Sequence, residues 1–420
     1  MHTFRISSAT LVAVLCTTSV LAQEAAVKGW GTFVGIGVIE RPGSGFVGTG
    51  IGLPLLEAEK DSISAGPSAG LALAFEIGRI QETPVFLEMS GTLFASSSTG
   101  IAIHDLTGRN SVFMGIGAPA GVVNLTAGGG SAFASITGAD AGDVLVSGST
   151  PPGGGSQAVF GYDRLGAAGA YAGIVTGGVP NAAAYGVVLS PEGFAFAGVG
   201  DMSGTLLRSE ARRSSVRAGM EIALGVPIQI ADEWTIVPRL GGTYKVFSDE
   251  LSHEVLVDPH EGAGMPDRFP VFGIRTQEDL KSWMLGPIAS ISVSRQFDRH
   301  WNATVGAGVG WLFTGSDWVM TATGLMEGMP ETTLPGAAMS STGGTALLRM
   351  DGAISYAADN GTVFSLQGRV EHLSAVPVTK AVAQPMPSGP IDLSLPSSSR
   401  AIGTAPAFEY GLSLSMTRRF

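Results

Sequence analysis

The last thirteen residues, Phe408-Glu409-Tyr410-Gly411-Leu412-Ser413-Leu414-Ser415-Met416-Thr417-Arg418-Arg419-Phe420, constrain the fold more than any other stretch. Phe408, Tyr410, Leu412, Leu414 and Met416 fall at every second position, and the residues between them are Glu, Gly, Ser or Ser. Successive side chains of a strand point to opposite faces, so a period of two over this length describes an extended strand with one apolar and one polar face. The apolar face has to be covered, either by a second sheet or by lipid.

The other end of the chain bears on that choice. Arg5 precedes an apolar run through Leu11-Val12-Ala13-Val14-Leu15 and a small-residue site at Val20-Leu21-Ala22, so residues 1–22 read as a cleaved secretory signal peptide. Leu15 stands before Cys16 where a lipoprotein needs a small residue. Cleavage after Ala22 removes the only cysteine, leaving a mature chain, 23–420, without disulfide, thiol nucleophile or cysteine metal site. The formal charge of −11 becomes −12 with the loss of Arg5, an acidic balance that speaks against nucleic acid as a partner. After the signal peptide no apolar run approaches the ~18 residues of a membrane helix. Yet mean hydropathy is +0.30, and Gly supplies 61 of 420 residues, well above the usual ~7%. A chain this apolar without helical spans fits a sheet whose outward residues meet lipid.

The alternation recurs along the chain. It marks a strand at Trp30–Val38 and hairpins at Leu71–Leu93, Val216–Val246, Leu285–Phe313 and Leu348–Val370. With the terminal strand these make ten. Tight turns alternate with long connections at roughly 41–67, 96–210, 248–281, 315–343 and 375–404. Pro238 and Pro287 fall inside expected strands, where each removes a ladder donor. Trp30, Trp234 and Trp301 fall at the starts of strands leaving the turn end, and Trp283, Trp311 and Trp318 at or beyond the far rim. Aromatic residues collected at two levels are the pattern of a membrane-spanning barrel.

The signal peptide, the short-long rhythm and the alternating last strand closing on Phe420 resemble Gram-negative outer-membrane β-barrel proteins. The resemblance singles out no subfamily. It implies an all-β, transmembrane, antiparallel up-and-down barrel, with ten strands or alternatively twelve, short periplasmic turns and long extracellular loops. It also implies residence in the outer membrane, lipid as a partner, and recognition of the C-terminal strand by the barrel-assembly machinery. Trp30, Trp234, Trp283, Trp301, Trp311 and Phe420 are the expected membrane-interface aromatics.

Opposite the lipid-facing positions stand Glu76, Glu88, Glu221, Asp351, Glu371 and Glu409 with Arg217, Arg239, Lys245, Arg349, Arg369 and Arg419. Six acids and six bases would line the bore. About eight strands give a lumen just filled by side chains, whereas water channels typically need sixteen or more. Matched charges in ten strands therefore form either a salt-bridged core or a narrow polar pore. Gly306, Gly308 and Gly310 leave an inward strip without side chains. The Gly/Ala-rich connection 96–210 would enter the bore as a plug or form a β-rich surface cap.

Three other features have ordinary readings. Gly66-Pro67-Ser68-Ala69-Gly70 matches the G-x-S-x-G elbow, but lacks the preceding strand and following helix that raise a nucleophile, and reads as a loop end. The glycines at 48–52 and 115–117 lack the lysine and helix of a phosphate cradle. Asp249, Glu250, His253, Glu254, Asp258, His260, Glu261 and Asp267 read as a solvated acidic loop, with metal binding or hydrolysis as remote alternatives. The expectation is an outer-membrane barrel without catalytic centre, cofactor or metal. It is either a narrow pore for passive diffusion of small solutes or a closed structural barrel displaying long loops for surface interaction.

Overall fold

The computed structural model describes residues 27–42, 61–106, 111–128, 131–139, 142–149, 156–177, 182–200, 205–258, 270–382, 391–392 and 399–419. The expected signal peptide, His260, Glu261, Asp267 and Phe420 lie outside them. Three strands open the chain: β1 (Val27–Pro42), β2 (Asp61–Ile80) and β3 (Thr83–Asp105). Eight shorter ones follow: β4 (Ser111–Gly117), β5 (Val122–Gly128), β6 (Ser131–Ala139), β7 (Gly142–Ser149), β8 (Ser156–Leu165), β9 (Ala168–Gly177), β10 (Ala182–Ser190) and β11 (Gly193–Gly200). Long strands resume with β12 (Leu206–Gly225), the short β13 (Ile228–Ala231), β14 (Trp234–Asp258), β15 (Phe272–Gln296), β16 (Trp301–Met326), β17 (Thr332–Ala357) and β18 (Thr362–Val382). The two-residue β19 (Ile391–Asp392) precedes β20 (Ser399–Arg419).

The long strands pair antiparallel in the cyclic order β1-β2-β3-β12-β14-β15-β16-β17-β18-β20. β20 then returns to β1, from Gly29↔Arg419 to Glu40↔Phe408, so the ring closes. At Gln81 and Glu82 the chain reverses between β2 and β3 in two residues, both at positive φ (46° and 73°), the backbone twist that matches two paired strands. In β20 the residues Phe408 to Met416 at even positions are exposed on the outer face, and those between them point into the ring. Pro238 lies opposite the break between β12 and β13, where Val226 N–H donates to its carbonyl at 3.2 Å. The β15–β16 ladder passes from Leu285↔Phe313 to Ile288↔Gly310, skipping Pro287. Both prolines thus sit where ladder donors are not required.

The ring strands run further than the sequence reading placed them. The expected loop at 248–281 is largely strand, with β14 reaching Asp258 and β15 starting at Phe272; 315–343 reduces to a connection at 327–331. The physical reason is an inversion of faces. Val246, Trp283 and Phe313 are the last of the regular outward apolar positions on their strands, and Ser248, Lys281 and Gly315 follow them. At the same level the inward positions turn apolar, as in Leu251, Val255 and Val257 on β14. The period of two persists while its phase slips by one residue, so a reading tied to apolar-outward alternation stops there.

β4 to β11 do not enter the ring; they form a cap. One sheet has the order β4-β11-β10-β9-β8, the other β19-β5-β6-β7. The sheets pack on each other through Ala134, Ile136, Val123, Ala170, Ala172, Ala184 and Ala197, small residues that bring the layers close. The opposite face of the five-stranded sheet presents Tyr171, Tyr185, Val187, Leu189, Phe194 and Phe196 to inward residues of the ring, among them Val255, Val257, Phe272, Ile274 and Trp318. Phe272 carries much of this contact, with ring centroids 4.8 Å from Phe196 and 6.3 Å from Phe194. Within the stretch 96–210 read as a Gly/Ala-rich loop, β4 to β11 thus form a β-rich cap packed on inward residues at one end of the ring, while its two ends belong to β3 and β12. Replacing Phe272 by Ala removes a buried aromatic at a cost of about 3–5 kcal/mol. Limited proteolysis should then cleave within 168–200 while the heat stability of the ring is retained.

Candidate functional site in the ring interior

Inward side chains of the ring form layers along its axis. Near the turn end, Glu76 pairs with Arg79 at 2.9 Å. Further in, Arg239 donates to Glu88 at 2.7 Å and to Ser292 Oγ at 2.6 Å. At mid-height a continuous network crosses the bore. Arg349 donates to Glu221 at 2.6 Å and to Glu371 at 3.1 Å. Lys245 pairs with Glu371, and its Nζ is 3.6 Å from Glu409, which also pairs with Arg217. The Arg217 guanidinium stacks over the Phe247 ring at 4.5 Å. The pairs Arg217–Glu409 (β12 to β20), Glu221–Arg349 (β12 to β17) and Lys245–Glu371 (β14 to β18) join strands four positions apart around a ring of ten. They span the lumen rather than running along its wall. Above them Met284, Ile288, Leu312, Leu347, Leu373 and Val376 form an apolar collar, and the cap lies above the collar.

Of the twelve expected lining residues, Glu88, Arg217, Glu221, Arg239, Lys245, Arg349, Asp351, Arg369, Glu371 and Glu409 border cavities within the ring, Glu76 pairs with the exposed Arg79, and the side chain of Arg419 lies outside the described residues. The sequence reading missed the collar and the interior phenylalanines Phe33, Phe94 and Phe247. Phe33 and Phe94 occupy polar-face positions on β1 and β3 and lie over Gly70 and Gly37, where a Cβ would meet their rings. Their position in the wrong phase of the alternation was the available signal. Gly306 has a local cause as well: a Cβ there would sit 2.7 Å from Asp351 Oδ2.

Trp234 and Trp301 are exposed on the outer face at the turn end, and Trp283 and Trp311 at the level where the outward apolar positions stop. Trp30 is half-buried on the outer side of β1, opposite Arg418. Gly315 and Gly344 give the Trp283 and Trp311 indoles room to lie across the neighbouring strand. Trp318 corrects the rim reading: it points inward, is 1% exposed, and donates to Glu278 at 3.0 Å beneath the cap. Its strand extends past the expected rim, so its phase rather than its height decides its environment.

The acidic loop is corrected too. Asp249, Glu250, His253, Glu254 and Asp258 lie on β14, so Asp249 and His253 are buried inside while Glu250 and Glu254 face outward. His253 Nε2 lies 2.7 Å from Ser209 Oγ, and Ser215 donates to Asp249. Residues split between two faces of a strand do not converge on one ion or water. Among the described residues no group of three His, Cys, Asp or Glu is placed to hold a metal ion. Gly66 to Gly70 lies within β2, not at a loop end, and Ser68 lines the bore.

No family model and no curated protein matches the chain. Among solved structures, the outer-membrane protease OmpT from Escherichia coli aligns at a TM-score of 0.34 and 6% identity, over 94% of this chain and 97% of that one. The Pseudomonas putida toluene transporter TodX aligns at 0.23 and 9% identity, over 95% and 91%. A Pseudomonas aeruginosa FadL homologue aligns at 0.19 and 10% identity, over 94% and 90%. Likenesses at these scores assign the chain neither a family nor an activity.

Glu371 is the hub of the network: 2% exposed, it touches both Lys245 and Arg349. Charges buried in this way are sustained only by their partners. Glu371→Gln leaves two cations undercompensated and should cost about 3–5 kcal/mol. The paired replacement Lys245→Met/Glu371→Leu should cost less than the sum of the single changes. Denaturant unfolding of the four proteins as a double-mutant cycle measures the coupling.

Proposed function

We propose that the protein is a Gram-negative outer-membrane β-barrel with a closed bore, which anchors a folded cap at the outer surface as an interaction module. The observation that carries closure is the set of ion pairs that join opposite walls of the lumen, backed by the apolar collar and the cap above them. Ten strands leave a narrow interior, and three ion pairs cross it.

Membrane placement rests on the outer face. The apolar run from Phe408 to Met416 rises about 26 Å along its strand, or about 20 Å along an axis tilted by 40°; Trp301 to Phe313 projects to about 30 Å. These bracket the ~25 Å apolar band of a transmembrane barrel. Tryptophans at its two limits and the inversion of faces above it agree with an aqueous boundary there. The turn end then faces the periplasm and the cap the exterior. Lipid covers the band, the assembly machinery reads the β20 strand, and the reading assigns the protein no enzymatic activity.

The refolded mature chain in a planar bilayer should give no reproducible conductance steps. Open steps from the intact chain would overturn closure in favour of a pore. The barrel itself is tested by gel mobility: unboiled protein should migrate faster than boiled, and equal mobility from a chain recovered only in the soluble fraction would rule out the membrane reading.

A further inference from the structure

Around the cross-bore network and on its turn side the lumen holds a cavity of about 430 Å³. Its lining includes four cations, Arg217, Lys245, Arg349 and Arg369, and four carboxylates, Glu221, Asp351, Glu371 and Glu409. Three of each sign belong to the network. Arg369 and Asp351 are the remaining two, and among the described residues neither makes a hydrogen bond or an ion pair within 4.0 Å.

Their separation is built into the ladder. Asp351 on β17 stands directly opposite Arg369 on β18, on the same inward face. Opposite charges at such positions ordinarily pair. Here each is flanked on its far side by glycine, Asp351 by Gly306 and Arg369 by Gly411. The Asp351 carboxylate lies over Gly306, and around Gly411 an added Cβ would meet nothing within 4 Å. Arg369 is exposed and, with Asp351, lines both this cavity and a depression beside Val370 and Tyr410, and Arg349, Glu221, Asp351 and Glu409 all act on it electrostatically. Both residues sit two positions nearer the turn end than Arg349 and Glu371. They therefore lie on the turn side of the network, in a chamber that the network residues themselves help to line. A second cavity of about 510 Å³ at the turn end shares Ser90 and Glu221 with this chamber and provides the approach.

We propose that this chamber is a binding site for a small zwitterion of the α-amino-acid type, its carboxylate held by Arg369 and its ammonium by Asp351. The lining is electrically neutral as a whole, so it offers little to a net anion or cation, yet it holds side by side one cation and one carboxylate that stand outside the ion-pair network. A ligand carrying both charges satisfies both, and each contact is a charge-assisted hydrogen bond. The volume lies within the usual range of small-molecule pockets, roughly 300–1,000 Å³. The site requires no conduction and rests on the closed-barrel reading: with the bore shut above, solute reaches it from the turn side.

The test is saturation-transfer NMR on the refolded chain in detergent micelles, with L-alanine, propionate and ethylamine as separate probes. L-alanine should receive transfer, and propionate and ethylamine should bind at least about tenfold more weakly. Arg369→Met and Asp351→Asn should each weaken L-alanine by about tenfold or more, and the exchange Arg369→Asp/Asp351→Arg should recover part of the loss. No transfer to L-alanine in the intact chain, equal binding of propionate, or L-alanine binding unchanged in both single variants would overturn the site. The probe comparison on the intact chain decides the matter even where a variant fails to refold. Conductance plays no part in it, so failure here is distinct from failure of the closed-barrel reading.

Discussion

The ladder between β1 and β20 is the contact on which the rest of the structure depends. A ten-strand sheet without it would carry two free edges, and each edge would expose a row of backbone donors and acceptors to whatever surrounds the apolar band. In hydrocarbon those groups find no partners, so a sheet survives there only as a closed ring. Closure also fixes which residues face inward, because the register between the first and last strands sets the phase of every strand between them. The charges of the interior, the exposed aromatics and the seat of the cap all follow from that phase.

Within the ring the energetics are decided by pairing. Lys245, Arg217, Arg349 and Glu371 are nearly excluded from solvent, and isolated charges in that position would be costly. Neighbouring walls of opposite sign at the same height offset the cost and tie strands that share no ladder. The network therefore braces the ring across its diameter while it obstructs the bore. Arg369 and Asp351 stand outside this pairing: each is flanked on its far side by glycine, and both line the chamber.

How much of this was legible in the residues depended on where a single face was apolar. From Trp301 to Phe313 and from Phe408 to Met416 the alternation alone assigns each side chain to one face or the other, and the charged residues fall on the face opposite the apolar one. Above that level the alternation continues with its phase reversed, so β14 to β17 were read as ending early and Trp318 was assigned to the rim. The cap was hidden for a different reason. β10 is buried at all nine positions, and a strand covered on both faces shows no alternation at all. Its alanines and glycines, which permit two layers to approach closely, resemble the composition of a flexible loop.

The sequence by itself determined the class of structure: period-two strands, tight turns, an acidic apolar chain and a terminal strand built to pair. These are local properties, carried by neighbouring residues. Only the tertiary structure decided that Glu221 meets Arg349 across the lumen, that residues 111–200 dock as a cap, and that Asp351 and Arg369 face each other unpaired. Each of these joins positions far apart in the chain, and their meeting depends on strand order and shear around the closed ring, which no local pattern encodes.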